Sequence, residues 1–144
     1  MTYRVAIAGC GGISDRHLAA LKQWEQSGGR ACAVAVADTN PSRAQAAAER
    51  YGGRLSVYAD YKKMIREAAP DVVIVALPHF LHLEAACFAA EAGCHLLLEK
   101  PMALTRFNIP RTSIWTSWPT SCILRRGTFP ATSKRKRART SAII

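Results

Sequence analysis

The sequence predicts an α/β fold in which helices cover both faces of a doubly wound parallel sheet. Over the first 105 residues, short β-branched or aliphatic runs alternate with segments of helical period, and a glycine-rich turn follows the first run. A continuous apolar run at Val72 to Leu77 is typical of a central parallel strand buried on both faces. The 144 residues suffice for one ordinary domain.

Five strands are expected, in the order βαβαβαβαβ. Their predicted ranges are Tyr3 to Ala8, Ala33 to Ala37, Leu55 to Tyr58, Val72 to Leu77 and Leu96 to Leu98. The third has the weakest pattern. Parallel neighbours need a crossover connection, and the intervening segments have the period of helices.

Residues that are typical of helix starts and helix ends predict the limits of these helices. Asn40 and Pro41 predict the start of one helix and Gly52 its end. Its expected buried face is Ala44, Ala47, Ala48 and Tyr51. Asp60 predicts the start of a shorter helix, with Met64, Ile65 and Ala68 as its apolar residues. A last helix should end near Gly93, with a buried face of Leu83, Ala86, Cys87 and Ala90.

Positive charge is concentrated at the end of the chain. The whole sequence has 20 Lys and Arg against 10 Asp and Glu, a formal charge of +10. Residues 1–105 have a net charge of only +1, whereas residues 106–144 have +9 and contain no acidic residue. The overall basicity is therefore not a property of the predicted α/β domain.

Hydrophobic periodicity stops after Thr105, so we predict a domain at 1–105 and an irregular basic tail at 106–144. Three interpretations of the tail compete: a disordered segment, a nucleic-acid or nuclear-targeting segment built on Lys134 to Arg137, and translation in a shifted reading frame. We favour the third, because Trp115, Trp118 and Phe129 are unusual in an evolved flexible tail.

Cysteine content and hydropathy indicate the compartment. The five cysteines are odd in number and form no C-x-x-C pair, so we expect small buried thiols rather than a disulfide framework or a zinc site. No run approaches the roughly 20 apolar residues that cross a bilayer, and no leader pattern precedes the first strand. We therefore expect a cytoplasmic protein with no membrane partner.

The turn from Gly9 to Ser14 has the context of a dinucleotide-binding loop, because it follows a strand and opens a helix. Gly9 allows a tight turn, and Gly11 lets the backbone approach a pyrophosphate at the helix N-terminus. Ser14 replaces the third glycine of the fingerprint, where a small residue is needed for packing. The expected cofactor contacts here are Gly9, Gly11, Gly12, Ile13 and Ser14. The alternative is a glycine turn without a ligand.

Asp38 ends the second predicted strand, where a carboxylate can accept hydrogen bonds from the adenosine ribose hydroxyls. Because a carboxylate repels a 2′-phosphate, NAD is the expected cofactor, and nearby Arg43 leaves NADP open. Without the glycine loop, Asp38 would equally be a solvated helix-capping residue.

Glu99, Lys100 and Pro101 follow the last buried strand. Such a Glu-Lys pair is more often a surface ion pair worth under about 1 kcal/mol. Its predicted place at the carboxyl edge of the sheet, beside a dinucleotide, indicates chemistry instead.

These motifs together resemble the family of glucose-fructose oxidoreductase and inositol dehydrogenase, often called Gfo/Idh/MocA. The matching stretches are Gly9 to Ser14 with His17, Asp38 to Pro41, Pro78 with His82, and Gly93 to Pro101. The resemblance implies a Rossmann domain, a following substrate domain with an open antiparallel sheet, and reversible oxidation of a sugar or cyclitol hydroxyl by a nicotinamide cofactor.

The resemblance also implies roles for single residues. Lys100 would lie between nicotinamide and substrate and polarise the reacting oxygen or support proton transfer, and Glu99 would orient that lysine and the nicotinamide. Both residues would thus contact the cofactor. Pro101 would also border the cofactor. Pro78 would shape a loop against the cofactor with support from His82. His17 is expected to pack or hydrogen-bond, and no metal is expected at His79 and His82, which lack a nearby carboxylate.

In members of that family, the segment that corresponds to Met102 to Thr105 is followed by a whole substrate domain. The sequence shows no pattern for such a domain, so we expect cofactor binding without turnover, and a polyol or sugar substrate only with the missing domain. Two alternatives remain. A non-catalytic dinucleotide-sensing module needs only the glycine loop and Asp38, whereas a basic nucleic-acid-binding protein would depend on Lys134 to Arg137.

Overall fold

The computed structural model describes residues 1–100 and the backbone of residues 142–143. Its parallel strands are β1 (Tyr3–Ala8), β2 (Ala31–Ala37), β3 (Ser56–Tyr58), β4 (Val72–Val75), β5 (His95–Leu98) and the two-residue β6 (Ala142–Ile143). Their order in the sheet is β3-β2-β1-β4-β5-β6. Five strands were predicted, and β6 is an additional short strand within the segment that was predicted to be irregular. The chain thus builds outward from β1 in one direction and then crosses to β4 and builds in the other, which confirms the predicted doubly wound fold. The boundary predicted at residue 105 lies outside the described residues.

Within residues 1–100, four helices connect the strands. They are α1 (Gly12–Gln26), α2 (Pro41–Tyr51), α3 (Tyr61–Ala68) and α4 (His82–Glu91), and a short 3₁₀ turn, His79–Leu81, precedes α4. The Asn40 side chain accepts hydrogen bonds from the first turn of α2, and Asp60 does the same for α3, as predicted. Gly52 ends α2 in the left-handed conformation at φ +119°. None of these described helices is long and apolar enough to span a membrane.

The sheet is buried on both faces because side chains alternate along each strand. In β1, Val5 and Ile7 pack on one face, with Leu18 of α1 and with the alanine face of α2. Ala6 and Ala8 point to the other face and pack in the cluster that contains α3 and α4. The small residues of β1 thus allow close approach of helices on that side. The predicted buried face of α2 is confirmed at all four residues.

The predicted buried face of α4 is wrong, because the observed buried positions are each one residue earlier in the sequence. Its buried residues are His82, Ala85, Ala86 and Ala89. The reason is that α4 begins at His82, whose ring turns inward and whose Nε2 lies 2.7 Å from the carbonyl oxygen of Leu77. That contact determines which side of α4 faces the sheet.

Four strand boundaries also differ from prediction. β3 begins one residue later and β5 one residue earlier than predicted, and β2 and β4 differ by two residues. β2 begins at Ala31, two residues earlier than predicted, next to Arg30, whose carbonyl accepts a hydrogen bond from Tyr3 N. β4 ends at Val75, two residues earlier than the apolar run, because Ala76 and Leu77 enter the loop that faces β1.

The prediction that the cysteines are buried, reduced thiols is confirmed in part. Cys10, Cys32 and Cys94 carry reduced thiols, and Cys10 and Cys94 are buried. Cys87 is disulfide-bonded, which the spacing did not predict.

Candidate functional site

The loops after β1 and β4 meet where the winding of the sheet reverses. Gly9 has φ +98°, and a Cβ added there would lie 2.4 Å from the carbonyl oxygen of Ala76. Gly9 N also donates a hydrogen bond of 2.8 Å to the carbonyl of Ala37 at the end of β2. Both the backbone conformation and the close approach therefore require glycine at this position.

The N-terminus of α1 is open. A Cβ added at Gly11 or Gly12 would meet no atom within 4 Å, apart from neighbours along the chain. Gly11 occupies the N-cap position and supplies no side-chain cap, unlike Asn40 and Asp60 on the next two helices. The first N–H groups of α1 therefore border open space, and a phosphate group fits that chemistry.

Ser14 lies beneath this surface. Its side chain is fully buried, and its Oγ donates a hydrogen bond of 2.5 Å to the carbonyl of Gly11. The serine thus fills the contact between helix and strand that the third glycine of the fingerprint would occupy. Ile13, one residue earlier, is 37% exposed at the same helix end.

Asp38 connects two parts of the site. Its Oδ2 accepts a hydrogen bond of 2.8 Å from Cys10 N in the glycine loop, and its Oδ1 accepts one of 2.8 Å from Asn40 N. A carboxylate has about four acceptor positions, so each oxygen can still accept from a ribose hydroxyl. The contact with Cys10 was not predicted from the sequence.

Cys10 is the residue between the first two glycines, and its side chain is buried. Burial, together with the nearby negative charges of Asp38 and Asp15, raises the pKa of this thiol to about 12. The thiol is therefore neutral at physiological pH and is not an activated nucleophile.

Glu99 continues the ladder of β5, since its N–H donates to the carbonyl of Val75 at 3.1 Å. Its carboxylate Oε1 lies 2.6 Å from Nε2 of His17 on α1. Lys100 is exposed, and its backbone N–H donates to Glu99 Oε2 at 3.4 Å. The predicted hydrogen-bonding role of His17 thus has a definite partner, which its position in the sequence did not reveal.

The loop after β4 begins at Pro78, which lies before the 3₁₀ turn. His82 is almost fully buried and supports this loop from beneath through the carbonyl of Leu77. The rings of His79 and His82 stack edge to face, with centroids 5.6 Å apart. Within residues 1–100, no group of three or more His, Cys, Asp or Glu side chains is arranged to hold a metal ion. Pro101 lies outside the described residues.

Comparison with known proteins identifies the class. The sequence profile of the Gfo/Idh/MocA group, described as an oxidoreductase family with an NAD-binding Rossmann fold, matches residues 3–109. The chain therefore belongs to this family, and its membership confirms the predicted fold and the nicotinamide cofactor.

Two characterised relatives illustrate the family. The chain is 42% identical to D-glucoside 3-dehydrogenase of Escherichia coli (strain K12) over 102 residues, which is 71% of this chain and 28% of that protein. It is 37% identical to inositol 2-dehydrogenase 1 of Saccharopolyspora erythraea over 107 residues, covering 73% and 30% of the two chains. The chain thus spans less than a third of the length of these relatives.

Solved structures agree with the described fold. The WlbA dehydrogenase of Chromobacterium violaceum, in complex with NADH and UDP-GlcNAcA, has a TM-score of 0.65 and 35% identity over 71% of this chain and 28% of its own. Scyllo-inositol dehydrogenase of Lactobacillus casei, with bound NAD(H) and scyllo-inositol, has a TM-score of 0.66 and 27% identity over 73% and 30%.

Proposed function

We propose that the described domain binds NAD along the carboxyl edge of its sheet and forms the cofactor half of an oxidoreductase acting on a sugar- or cyclitol-like hydroxyl. The observation that carries this proposal is the open, uncapped N-terminus of α1 beside Asp38. Free N–H groups there suit a pyrophosphate, and the carboxylate suits a ribose diol.

The order of the strands supports one direction for the proposed cofactor. Asp38 follows β2 on one side of the glycine loop, whereas Glu99 follows β5 on the other side. With the pyrophosphate above Gly11 and Gly12, the adenosine ribose reaches Asp38 and the nicotinamide extends towards Glu99. Ile13 would border the cofactor at the helix end, and Pro78 would border it from the loop after β4.

Lys100 and Glu99 supply the polar groups at the nicotinamide end. When bound, the oxidised cofactor NAD⁺ would accept a hydride from the substrate, and the reduced form NADH would donate one in the reverse reaction. In our proposal the Lys100 ammonium polarises the reacting oxygen of the substrate, and Glu99 sets the surroundings of the nicotinamide. The substrates named for the relatives, a glucoside, inositols and a nucleotide sugar, all carry ring hydroxyls, which supports a polyol or sugar as the substrate class.

We further propose that the 144 residues alone bind cofactor without turning over substrate. Hydride transfer needs the reacting carbon about 3 to 3.5 Å from the nicotinamide and correctly aligned. The relatives are more than three times the length of the matched segment, and the remainder would supply that enclosure.

Gly11→Val tests the cofactor site without disturbing the fold. Gly11 has φ −81° and free space at its Cβ, so the substituted chain should unfold at an unchanged temperature, while its side chain occupies the expected pyrophosphate position. Calorimetry should show at least about tenfold weaker NADH binding, equivalent to about 1.4 kcal/mol. Ala20→Val, on the exposed surface of the same helix, is the matched control. Unchanged NADH affinity in Gly11→Val would contradict the proposed site.

A further inference from the structure

His17 and Glu99 form a contact at the carboxyl edge of the sheet, beside the crevice in which we propose that the cofactor binds. His17 lies in the second turn of α1, and Glu99 follows β5, 82 residues later. Their side chains are only 20% and 25% exposed, and the atoms His17 Nε2 and Glu99 Oε1 are 2.6 Å apart. A short contact of an imidazole with a carboxylate in partly buried surroundings is stronger than an exposed ion pair.

Both oxygens of the Glu99 carboxylate have partners. Oε1 contacts His17, and Oε2 accepts from the backbone N–H of Lys100 at 3.4 Å. The backbone of Glu99 is itself fixed by its hydrogen bond to Val75. The carboxylate therefore has a defined orientation before any cofactor binds.

The Lys100 ammonium takes no part in these contacts of the Glu99 carboxylate. Among the ion pairs of residues 1–100, the partner of Glu99 is His17, and none includes Lys100. Glu99 therefore does not neutralise the adjacent lysine, and the ammonium is left for another acceptor. This differs from a direct Glu99–Lys100 side-chain pair, which adjacency in the sequence suggests.

We infer that His17 is a positioning residue: it holds the Glu99 carboxylate at the nicotinamide end of the crevice and out of an ion pair with the Lys100 ammonium, which then points to the substrate. The inference rests on the proposed function, since it requires the nicotinamide to lie beside Glu99. Because the first turn of α1 would bind the pyrophosphate, one rigid helix then sets both the phosphate position and the Glu99 position.

The test compares two ligands on the full 144-residue chain by calorimetry. ADP-ribose has the adenosine, pyrophosphate and second ribose of NADH but lacks the nicotinamide. For His17→Ala we expect NADH to bind about tenfold more weakly and ADP-ribose to change by less than about twofold, a difference of about 1 kcal/mol. His17→Gln retains a side-chain N–H donor and should recover most of the NADH affinity. His95→Ala, at the opposite end of β5, is the matched histidine control.

A double-mutant cycle of His17 and Glu99 distinguishes a positioning role of His17 from a role in packing alone. If His17 acts through Glu99, adding His17→Ala to Glu99→Ala should not weaken NADH binding further. Equal weakening of NADH and ADP-ribose by His17→Ala, or an additive cycle, would show that the histidine only stabilises the fold and would overturn the inference. If the unmodified chain binds neither ligand, the proposed function itself is wrong, and the inference is wrong with it.

Discussion

The Asp38 carboxylate accepts a hydrogen bond of 2.8 Å from the backbone N–H of Cys10, 28 residues earlier in the chain. The residue proposed to recognise the ribose therefore also anchors the loop proposed to hold the pyrophosphate. Removing this carboxylate should affect both ends of the adenosine diphosphate site at once.

Asp38 should determine cofactor preference. We expect the unmodified chain to bind NADH more tightly than NADPH, because the carboxylate repels a 2′-phosphate. Asp38→Ala should narrow the difference, because it removes the ribose contact with NADH, weakening NADH by about tenfold, and also removes the repulsion of the 2′-phosphate of NADPH. Titration calorimetry with both cofactors measures this. Equal affinities of the unmodified chain for NADH and NADPH would contradict the assignment.

Gly9→Ala should be strongly destabilising. The new Cβ would lie 2.4 Å from a backbone oxygen at a residue with φ +98°, so we expect a loss of at least about 2 kcal/mol in the free energy of unfolding. Gly52→Ala is the matched control, because Gly52 also has positive φ but has no atom within 4 Å of the added Cβ. It should lose only about 1 kcal/mol from backbone strain. Similar losses in denaturant unfolding for both variants would argue against the close contact.

The Cys10 thiol should resist alkylation. With a pKa of about 12, only about one part in ten thousand is thiolate at pH 8. Iodoacetamide at pH 8 should therefore modify Cys32, which is partly exposed, well before Cys10, as peptide mapping by mass spectrometry would reveal. Labelling of Cys10 as fast as Cys32 would show that the loop opens readily.

The same thiol predicts the behaviour of the fold at alkaline pH. Its pKa rises from 9.0 to about 12 on folding, so the unfolded chain loses this proton first as the pH increases. The contribution of Cys10 to stability is therefore fully present below about pH 9 and is lost progressively between pH 9 and 12. Urea unfolding of Cys10→Ala compared with the unmodified chain, at pH 7 and pH 10, isolates this contribution. An identical pH dependence in both would contradict it.

We expect this chain to bind the cofactor but not to turn over a substrate. Purified protein is expected to bind NADH but to show no NAD-dependent oxidation of inositols or glucose above background in an absorbance assay at 340 nm. Joining the chain to the substrate domain of a relative should restore activity, and Lys100→Ala should then reduce it by orders of magnitude. Turnover by the 144 residues alone, lost in Lys100→Ala, would show that they complete a site by themselves.

Local signals predicted most of the fold. Asn40 and Asp60 act as helix caps through hydrogen bonds to N–H groups two and three residues away, so a short stretch of sequence contains both partners. The phase of α4 was not predictable in the same way, because alanine and other apolar residues occur on most sides of that helix. Its orientation depends on the contact between His82 and Leu77.

The motif positions in the site could be predicted, but their connections could not. The glycine loop, Asp38 and Glu99 are recognisable by residue type and spacing. The contacts of Asp38 with Cys10 and of His17 with Glu99 join residues 28 and 82 positions apart. Such contacts depend on which strand ends become neighbours and how side chains orient there, and no local pattern encodes that.

The approach of Gly9 to the backbone at position 76 has an evolutionary consequence. The opposing atoms are a carbonyl carbon and oxygen, which every amino acid possesses. No substitution of Ala76 can therefore make room for a side chain at Gly9, and no compensating pair of mutations is accessible at these two positions. Descendants of this sequence can vary on the outer faces of the helices, whereas a change at Gly9 would require the backbone after β4 to move away from the loop after β1.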